Sequence, residues 1–303
     1  MQYVAYFVMC FIFGTVFLLT KAGLLLGWPP FLFSGTRFMA AGLILVFTLS
    51  IMNKKQVRTS IKKQKHFLII GICMTGIPFA AVYWGLQFID SGTSSVLVAS
   101  GPLFIFLFTK ENHKHKLKQN ITGILLCTMG LTLMTGPSLF YTRSVKELTA
   151  VFVIILSEIF FAFGSLQTRH VLKQNINPLL LNGFQMIYGG FFLLMISLTV
   201  GEGFQFPLSA ESMYVVIYFI FIASILSHSL YYWLVKKSGP FLPSTQSYIS
   251  PFIAIILGFI FLGEALTSAK ILSAVCILTG VGFLNSNDMK PFLLSKKKKQ
   301  REL

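Results

Sequence analysis

The chain has 303 residues, 55% of them hydrophobic and only 11% charged, with a mean hydropathy of +0.76. A soluble domain of this length carries roughly a quarter charged residues, so this composition excludes that class. The net charge of +16 would suit a nucleic-acid binder, but the basic residues cluster in the connections between apolar stretches, which excludes that reading too.

Apolar stretches of about 20 residues, each long enough to cross a ~30 Å hydrocarbon layer, recur along the chain. In order they fall near 3–20, 30–52, 67–88, 92–109, 121–138, 148–168, 179–200, 212–235, 241–263 and 268–287. They predict an all-α integral membrane protein of ten transmembrane helices. The first stretch has no basic n-region and no A-x-A site, and is expected to remain as a helix. The longest connection, 53–66, reads as a basic linker. Twenty of the 25 Lys and Arg residues fall on the even-numbered connections and the tail, against Lys21, Arg143, Lys146 and Lys270 on the other side. By the positive-inside rule both termini are cytoplasmic, in a multi-pass protein of the plasma membrane. The tail KKKKQR serves as a topology anchor, with contact to anionic lipid as an alternative.

The chain repeats itself. PFLFSGTRFMAAG from Pro30 matches PLLLNGFQMIYGG from Pro178, setting Gly35 on Gly183, Arg37 on Gln185 and Gly42 on Gly190. Phe13–Thr15 parallels Phe163–Ser165. At an offset of 149, Tyr83-Trp84 meets Tyr232-Trp233, Pro102 meets Pro251 and Cys127 meets Cys276. Five spans per half is an odd number, so the second half enters the membrane in the opposite sense. Two inverted five-helix repeats are therefore expected, at 1–140 and 147–288, followed by a basic cytoplasmic tail at 289–303. Duplications of this kind are a recurrent property of secondary transporters, with the substrate site between the repeats.

Glycines such as Gly35, Gly42, Gly123, Gly130 and Gly280 fit close helix packing. Pro78, Pro102 and Pro251 lie within or at the start of spans, where they kink helices or free carbonyls beside a cavity. The four cysteines sit in apolar spans without CxxC spacing and are expected to be reduced packing residues. His113 and His115 with Glu111 lack the spacing of a metal site, and Asn120 in N-I-T lies on the cytoplasmic side, away from glycosylation. No metal or cofactor is expected.

Glu158, within SEIFFAFG near the middle of the sixth span, must face a cavity or a partner. It can bind a substrate amine or a coupling proton, or make a structural hydrogen bond. Arg37, in the second span, can pair with Glu158, bind an anionic group or extend toward the interface. His228 is a packing histidine or a proton relay with Glu158 as its acidic partner. Gln246, Ser244, Thr245 and Ser250, matched by Ser94, Ser95 and Ser100, are candidates for substrate hydrogen bonds or for gluing helices. Tyr83, Trp84, Tyr232 and Trp233 read as aromatic belts or, because they are duplicated, as an aromatic gate or wall.

The stretch from Ser247 to Leu284, SYISPFIAIILGFIFLGEALTSAKILSAVCILTGVGFL, resembles the end of an EamA-type repeat of the drug/metabolite transporter superfamily. RFMAAGLILV from Arg37 is similar to that family's second helix. The resemblance covers residues 3 to 287 and implies ten helices in two inverted repeats, moving small metabolites, amino acids or drugs, often outward. It gives Arg37 a structural or gating role, in which Pro102, Pro251 and Glu264 are also candidates. The first half departs from the pattern, with His115 where the second half has Glu264.

No G-x-x-x-x-G-K-[ST] is present, so no P-loop nucleotide hydrolysis is expected. The reading is a secondary transporter, not an enzyme, moving a small organic metabolite that is amino acid-like, nucleoside-like or drug-like, by alternating access and outward. Its expected partners are the small-molecule substrate, the bilayer and a coupling proton or cation, with the chain acting as monomer or homodimer. The alternatives are a membrane-embedded enzyme or a channel or receptor scaffold.

Overall fold

The computed structural model describes residues 2–60, 63–108, 121–123, 125–130, 133, 144–203, 206–207, 209–263, 267–269, 271–277, 279–280 and 283. Among them every regular element is helical: α1 (Gln2–Leu25), α2 (Pro30–Met52), α3 (Lys54–Ser60), α4 (Gln64–Gly85), α5 (Ser91–Val98), α6 (Gly101–Phe108), α7 (Ile121–Gly130), α8 (Val145–Leu172), α9 (Pro178–Val200), α10 (Ala210–Ser238) and α11 (Gln246–Leu262). Residues 271–277 are helical as well.

Among the described residues, seven helices are long and apolar enough to cross a membrane: α1, α2, α4, α8, α9, α10, and Leu242–Leu262, which contains α11. Ser91–Ile105 and Ile121–Gly130 are shorter apolar helices. Seven of the ten expected spans thus have full-length helices. The fourth is broken, because Pro102 follows a turn at 99–100 that separates α5 from α6. Parts of the fifth and tenth lie outside the described residues, as do Glu264, Glu111, His113, His115, Asn120 and the tail. The linker 53–66 contains α3, one short basic helix.

The helices are apolar all round, and packing divides their faces. In α1, Val4, Phe7, Val8 and Phe11 are exposed on one stripe, while Tyr6, Met9, Cys10 and Phe17 are buried on the other. Large apolar side chains are likewise exposed at Phe47, Ile51, Phe152, Phe191 and Phe261. In water such a surface would drive aggregation; in a bilayer it is the lipid face. This is a multi-pass membrane protein.

Helix ends are set by local chemistry. Pro30 and Pro178 occupy the first turns of α2 and α9, where a missing N–H costs nothing. Asp90, Ser144, Asn177 and Ser209 cap α5, α8, α9 and α10 with side-chain oxygens. Gly201 ends α9 with φ 76°, a conformation glycine adopts without Cβ strain. That turn delivers Glu202 to the start of α2. The backbone N–H groups of Phe31 and Leu32 donate to its two carboxylate oxygens at 3.0 and 2.7 Å, and the helix dipole favours the negative charge there.

α2 and α9 cross with opposed chain directions. A β-carbon placed on Gly42 would stand 2.7 Å from the Gly183 carbonyl oxygen, and one on Gly190 would stand 2.6 Å from the Met39 nitrogen and 3.0 Å from the Gly35 oxygen. Gly42 therefore meets Gly183, and Gly190 meets Gly35. These are the residues that the duplication equates crosswise. Reciprocal contacts recur elsewhere: Gly130 packs on Ser273 and Ile277, and Gly280 packs on Gly123 and Cys127, pairs displaced by one residue from the 149-residue offset. Such reciprocity is what an interface about a two-fold axis produces.

α4 and α10 each contain a wider, π-helical segment, Ile72–Gly76 and Phe219–Ser227. They overlap at the repeat offset. In the first, Ile77 N–H donates to the Ile72 carbonyl, five residues back, just ahead of Pro78, whose ring cannot follow a regular turn. In the second, the His228 ring takes up the Ala223 carbonyl at 2.8 Å. A side chain inserted into the backbone ladder opens it in this way.

Candidate functional site

Three helices from each half surround a small cavity of about 80 Å³ at mid-bundle. α1 contributes Phe13, Val16 and Phe17; α4 contributes Met74, Pro78, Phe79, Val82 and Tyr83; α5 contributes Val98. From the other half come Glu158 and Phe161 of α8, His228, Tyr231 and Tyr232 of α10, and Gln246, Ser247 and Ser250 of α11. Packed clusters close the bundle on either side along its length. One contains Trp28, Phe33, Leu86, Ile89 and Ile154; the other contains Tyr6, Met9, Phe67, Val171 and Leu234.

The two halves line the cavity at matching positions with different chemistry. At an offset of 149, Phe79 corresponds to His228, Val82 to Tyr231, Tyr83 to Tyr232 and Val98 to Ser247. Where the first half is apolar, the second supplies polar groups. The same substitution continues at Leu97 against Gln246 and Gly101 against Ser250.

Glu158 is 2% exposed. Its carboxylate lies against the backbone of Gly101, where a β-carbon would come within 2.3 Å of Oε2 and 3.5 Å of a Phe161 ring carbon. Gly101 follows directly from the α5–α6 break, so the broken fourth span makes room for the carboxylate. No hydrogen bond or ion pair engages Glu158 among the described residues. An ionised carboxylate at mid-membrane costs about 2.5–3.5 kcal/mol or more, which makes an intramembrane acid facing a cavity a functional candidate. Beside it, Tyr231 is hydrogen-bonded to Ser165 at 3.1 Å and its ring lies 6.2 Å from that of Phe161.

On α11 the polar groups bond one another. Ser250 Oγ donates to Gln246 Oε1 at 2.8 Å, and Gln246 Nε2 donates to Ser247 Oγ at 3.1 Å. His228 Nδ1 faces the Ala223 carbonyl and therefore carries a hydrogen. Its ring packs edge-on against Phe13 and Phe38 at centroid distances of 5.0 and 5.7 Å. The ring is held by backbone and aromatics, and no bond joins it to Glu158.

Arg37 is 1% exposed and does not pair with Glu158. Its guanidinium carbon lies 4.0 Å from the centre of Phe38, 4.5 Å from Phe219, 4.9 Å from Phe79 and 5.4 Å from Tyr83. None of its three nitrogens reaches a hydrogen-bond partner among the described residues. Aromatic faces are its counter-charge. Phe79 and Tyr83 also line the cavity, so a single layer of rings separates Arg37 from it. The equivalent residue in the second half, Gln185, is instead fully engaged, accepting from Thr75 at 2.5 Å and donating to Asn182 at 3.1 Å.

Of the residues singled out from sequence, Glu158, His228, Gln246, Ser250, Tyr83, Tyr232 and Pro78 meet at the cavity wall. Trp84 and Trp233 do not: Trp84 packs on Phe88, and Trp233 lies against the cluster around Tyr6. Tyrosine and tryptophan are adjacent on a helix and so point about 100° apart, which splits each pair between cavity and packing. Ser95 donates to the Gly92 carbonyl within α5 and is absent from the wall. Pro102 starts α6, and Pro251 lies inside α11, one residue from Ser250. Sequence reasoning missed Phe13, Phe17, Phe79, Phe161 and Tyr231. The duplication held a signal for Tyr231, which is adjacent to a duplicated tyrosine. The four cysteines are buried.

A family model described as the EamA-like transporter family matches residues 1–136 and again 148–286. The chain is 26% identical over 278 residues to the uncharacterized inner membrane transporter YedA of Escherichia coli K12, covering 91% of this chain and 88% of that protein. It is 27% identical over 269 residues to the uncharacterized transporter YoaV of Bacillus subtilis, covering 85% and 87%. The WAT1-related protein At3g02690, chloroplastic, of Arabidopsis thaliana is 25% identical over 271 residues, 84% of this chain and 63% of that one. A solved crystal structure superposes with a TM-score of 0.70 at 15% identity, over 95% of this chain and 98% of its own, so the fold is shared.

Proposed function

Because this chain belongs to the EamA-like transporter family, we propose that it is a secondary transporter, moving a small organic metabolite across the membrane by alternating access. The observation that carries the proposal is the mid-bundle cavity, walled by equivalent helices of both halves and flanked by packed apolar clusters along the bundle. The names of YedA and YoaV, both transporters, support it.

The architecture we propose is ten helices in two inverted repeats, at 1–140 and 147–288. The crosswise glycine contacts of α2 with α9, and of Gly130 and Gly280 with their opposite segments, support a two-fold relation between the halves. Exchange of the two halves' conformations then opens the cavity first to one side and then to the other. The charge bias supports cytoplasmic termini, and the direction we propose is export. The protein works as a carrier, not an enzyme, in the plasma membrane.

Ser250→Cys tests the access cycle. In oriented vesicles a membrane-impermeant maleimide should label this cavity position when applied from either face, and substrate should slow both reactions. Labelling from one face alone would contradict alternating access.

A further inference from the structure

We infer that the cavity takes a monovalent organic cation with an apolar or aromatic body, its charge held by Glu158. The inference deepens the transporter reading above and rests on it for the role of the site, but not for its chemistry.

Among the described residues only Arg37 and Glu158 are acidic or strongly basic side chains buried in the bundle. Only Glu158 lines the cavity. Arg37 lies behind four rings and is not part of the cavity wall. The Glu158 carboxyl is the reverse case: it faces the cavity, and among the described residues no basic group and no hydrogen-bond donor answers it. A positive guest supplies the missing countercharge.

The neighbours of Glu158 narrow the class. Phe161 packs beside its carboxylate and Tyr231 beside Phe161. Phe13, Phe17 and Phe79 line other parts of the wall. Ring faces attract organic cations and accept their hydrocarbon bodies. A hard metal ion needs six or more oxygen ligands, or several with water, whereas this wall offers one carboxyl, and its amide and hydroxyl oxygens on Gln246, Ser247 and Ser250 are bonded to one another. One carboxylate also limits the guest to a single positive charge. On the polar side, Gln246, Ser247 and Ser250 can accept hydrogen bonds from an ammonium or hydroxyl group.

The test is equilibrium binding to the full-length protein in detergent, by calorimetry, with three probes of similar body and different charge: benzyltrimethylammonium, benzyl alcohol and phenylmethanesulfonate. The cation should bind about tenfold or more tighter than the other two, and Glu158→Gln should remove about tenfold or more of its affinity. Phe161→Leu should weaken the cation while leaving benzyl alcohol unchanged. Equal binding of the neutral or anionic probe would overturn the inference, as would full cation affinity in folded Glu158→Gln. If that variant fails to fold, the wild-type charge series and Phe161→Leu decide alone. Cation binding without any solute flux would sink the transporter reading and leave this site standing. Flux of other solutes without cation binding would do the opposite.

Discussion

Glu158→Gln should yield a folded protein whose transport falls about 10- to 100-fold, the range expected when one interaction with a charged group is lost. The side chain keeps its shape and loses its charge, so packing against Gly101 and Phe161 is preserved. Any dependence of flux on pH that arises from proton exchange at this carboxylate should vanish with it. Gly101→Ala supplies the complementary result. Its new methyl group would stand 2.3 Å from Glu158 Oε2, and the carboxylate is a flexible end that can swing aside. Transport should fall while the melting temperature stays near wild type. Wild-type flux and pH profile in folded Glu158→Gln would remove the residue from the mechanism.

Gly42→Ala should act on the fold rather than the site. Its β-carbon would meet the Gly183 carbonyl oxygen at 2.7 Å and the Ile187 nitrogen at 2.8 Å. Both are backbone atoms, so α2 and α9 must separate. Overpacking of this kind costs about 1–3 kcal/mol, visible as a lower melting temperature in detergent. By the crosswise relation, Gly190→Ala should cost a similar amount, since its β-carbon meets the Met39 nitrogen at 2.6 Å. A loss in one variant and none in the other would count against equivalent roles for the two positions.

The membrane class, most helices and the duplication were legible in the sequence because each rests on a local pattern: hydropathy over 20 residues, proline at helix starts, and identity at a fixed offset. Glu158 was legible for the same reason, as a lone acid in an apolar stretch. The cavity's aromatic wall was not. In a membrane helix the lipid face and the packed face are both apolar, so Phe11 and Phe13 look alike although one is exposed and the other lines the cavity. The cage around Arg37 draws on Phe38, Phe79, Tyr83 and Phe219, which belong to three helices distant in sequence, and no local pattern announces it. The belt reading of Tyr83 and Tyr232 failed for a related reason. Aromatic residues at the interface and in a cavity have the same composition, and only the direction of the side chain separates them. The chemistry differs between halves where the sequence alignment differs, at Val82 against Tyr231 and Val98 against Ser247, so the two halves present different groups to the cavity.

Counterflow is the most direct measurement of the central claim. Proteoliposomes preloaded with unlabelled benzyltrimethylammonium should take up the labelled compound transiently above equilibrium, at a rate that saturates with concentration. Uptake that rises linearly with concentration and never overshoots would describe a channel, and would contradict a carrier that opens its central cavity to one side at a time.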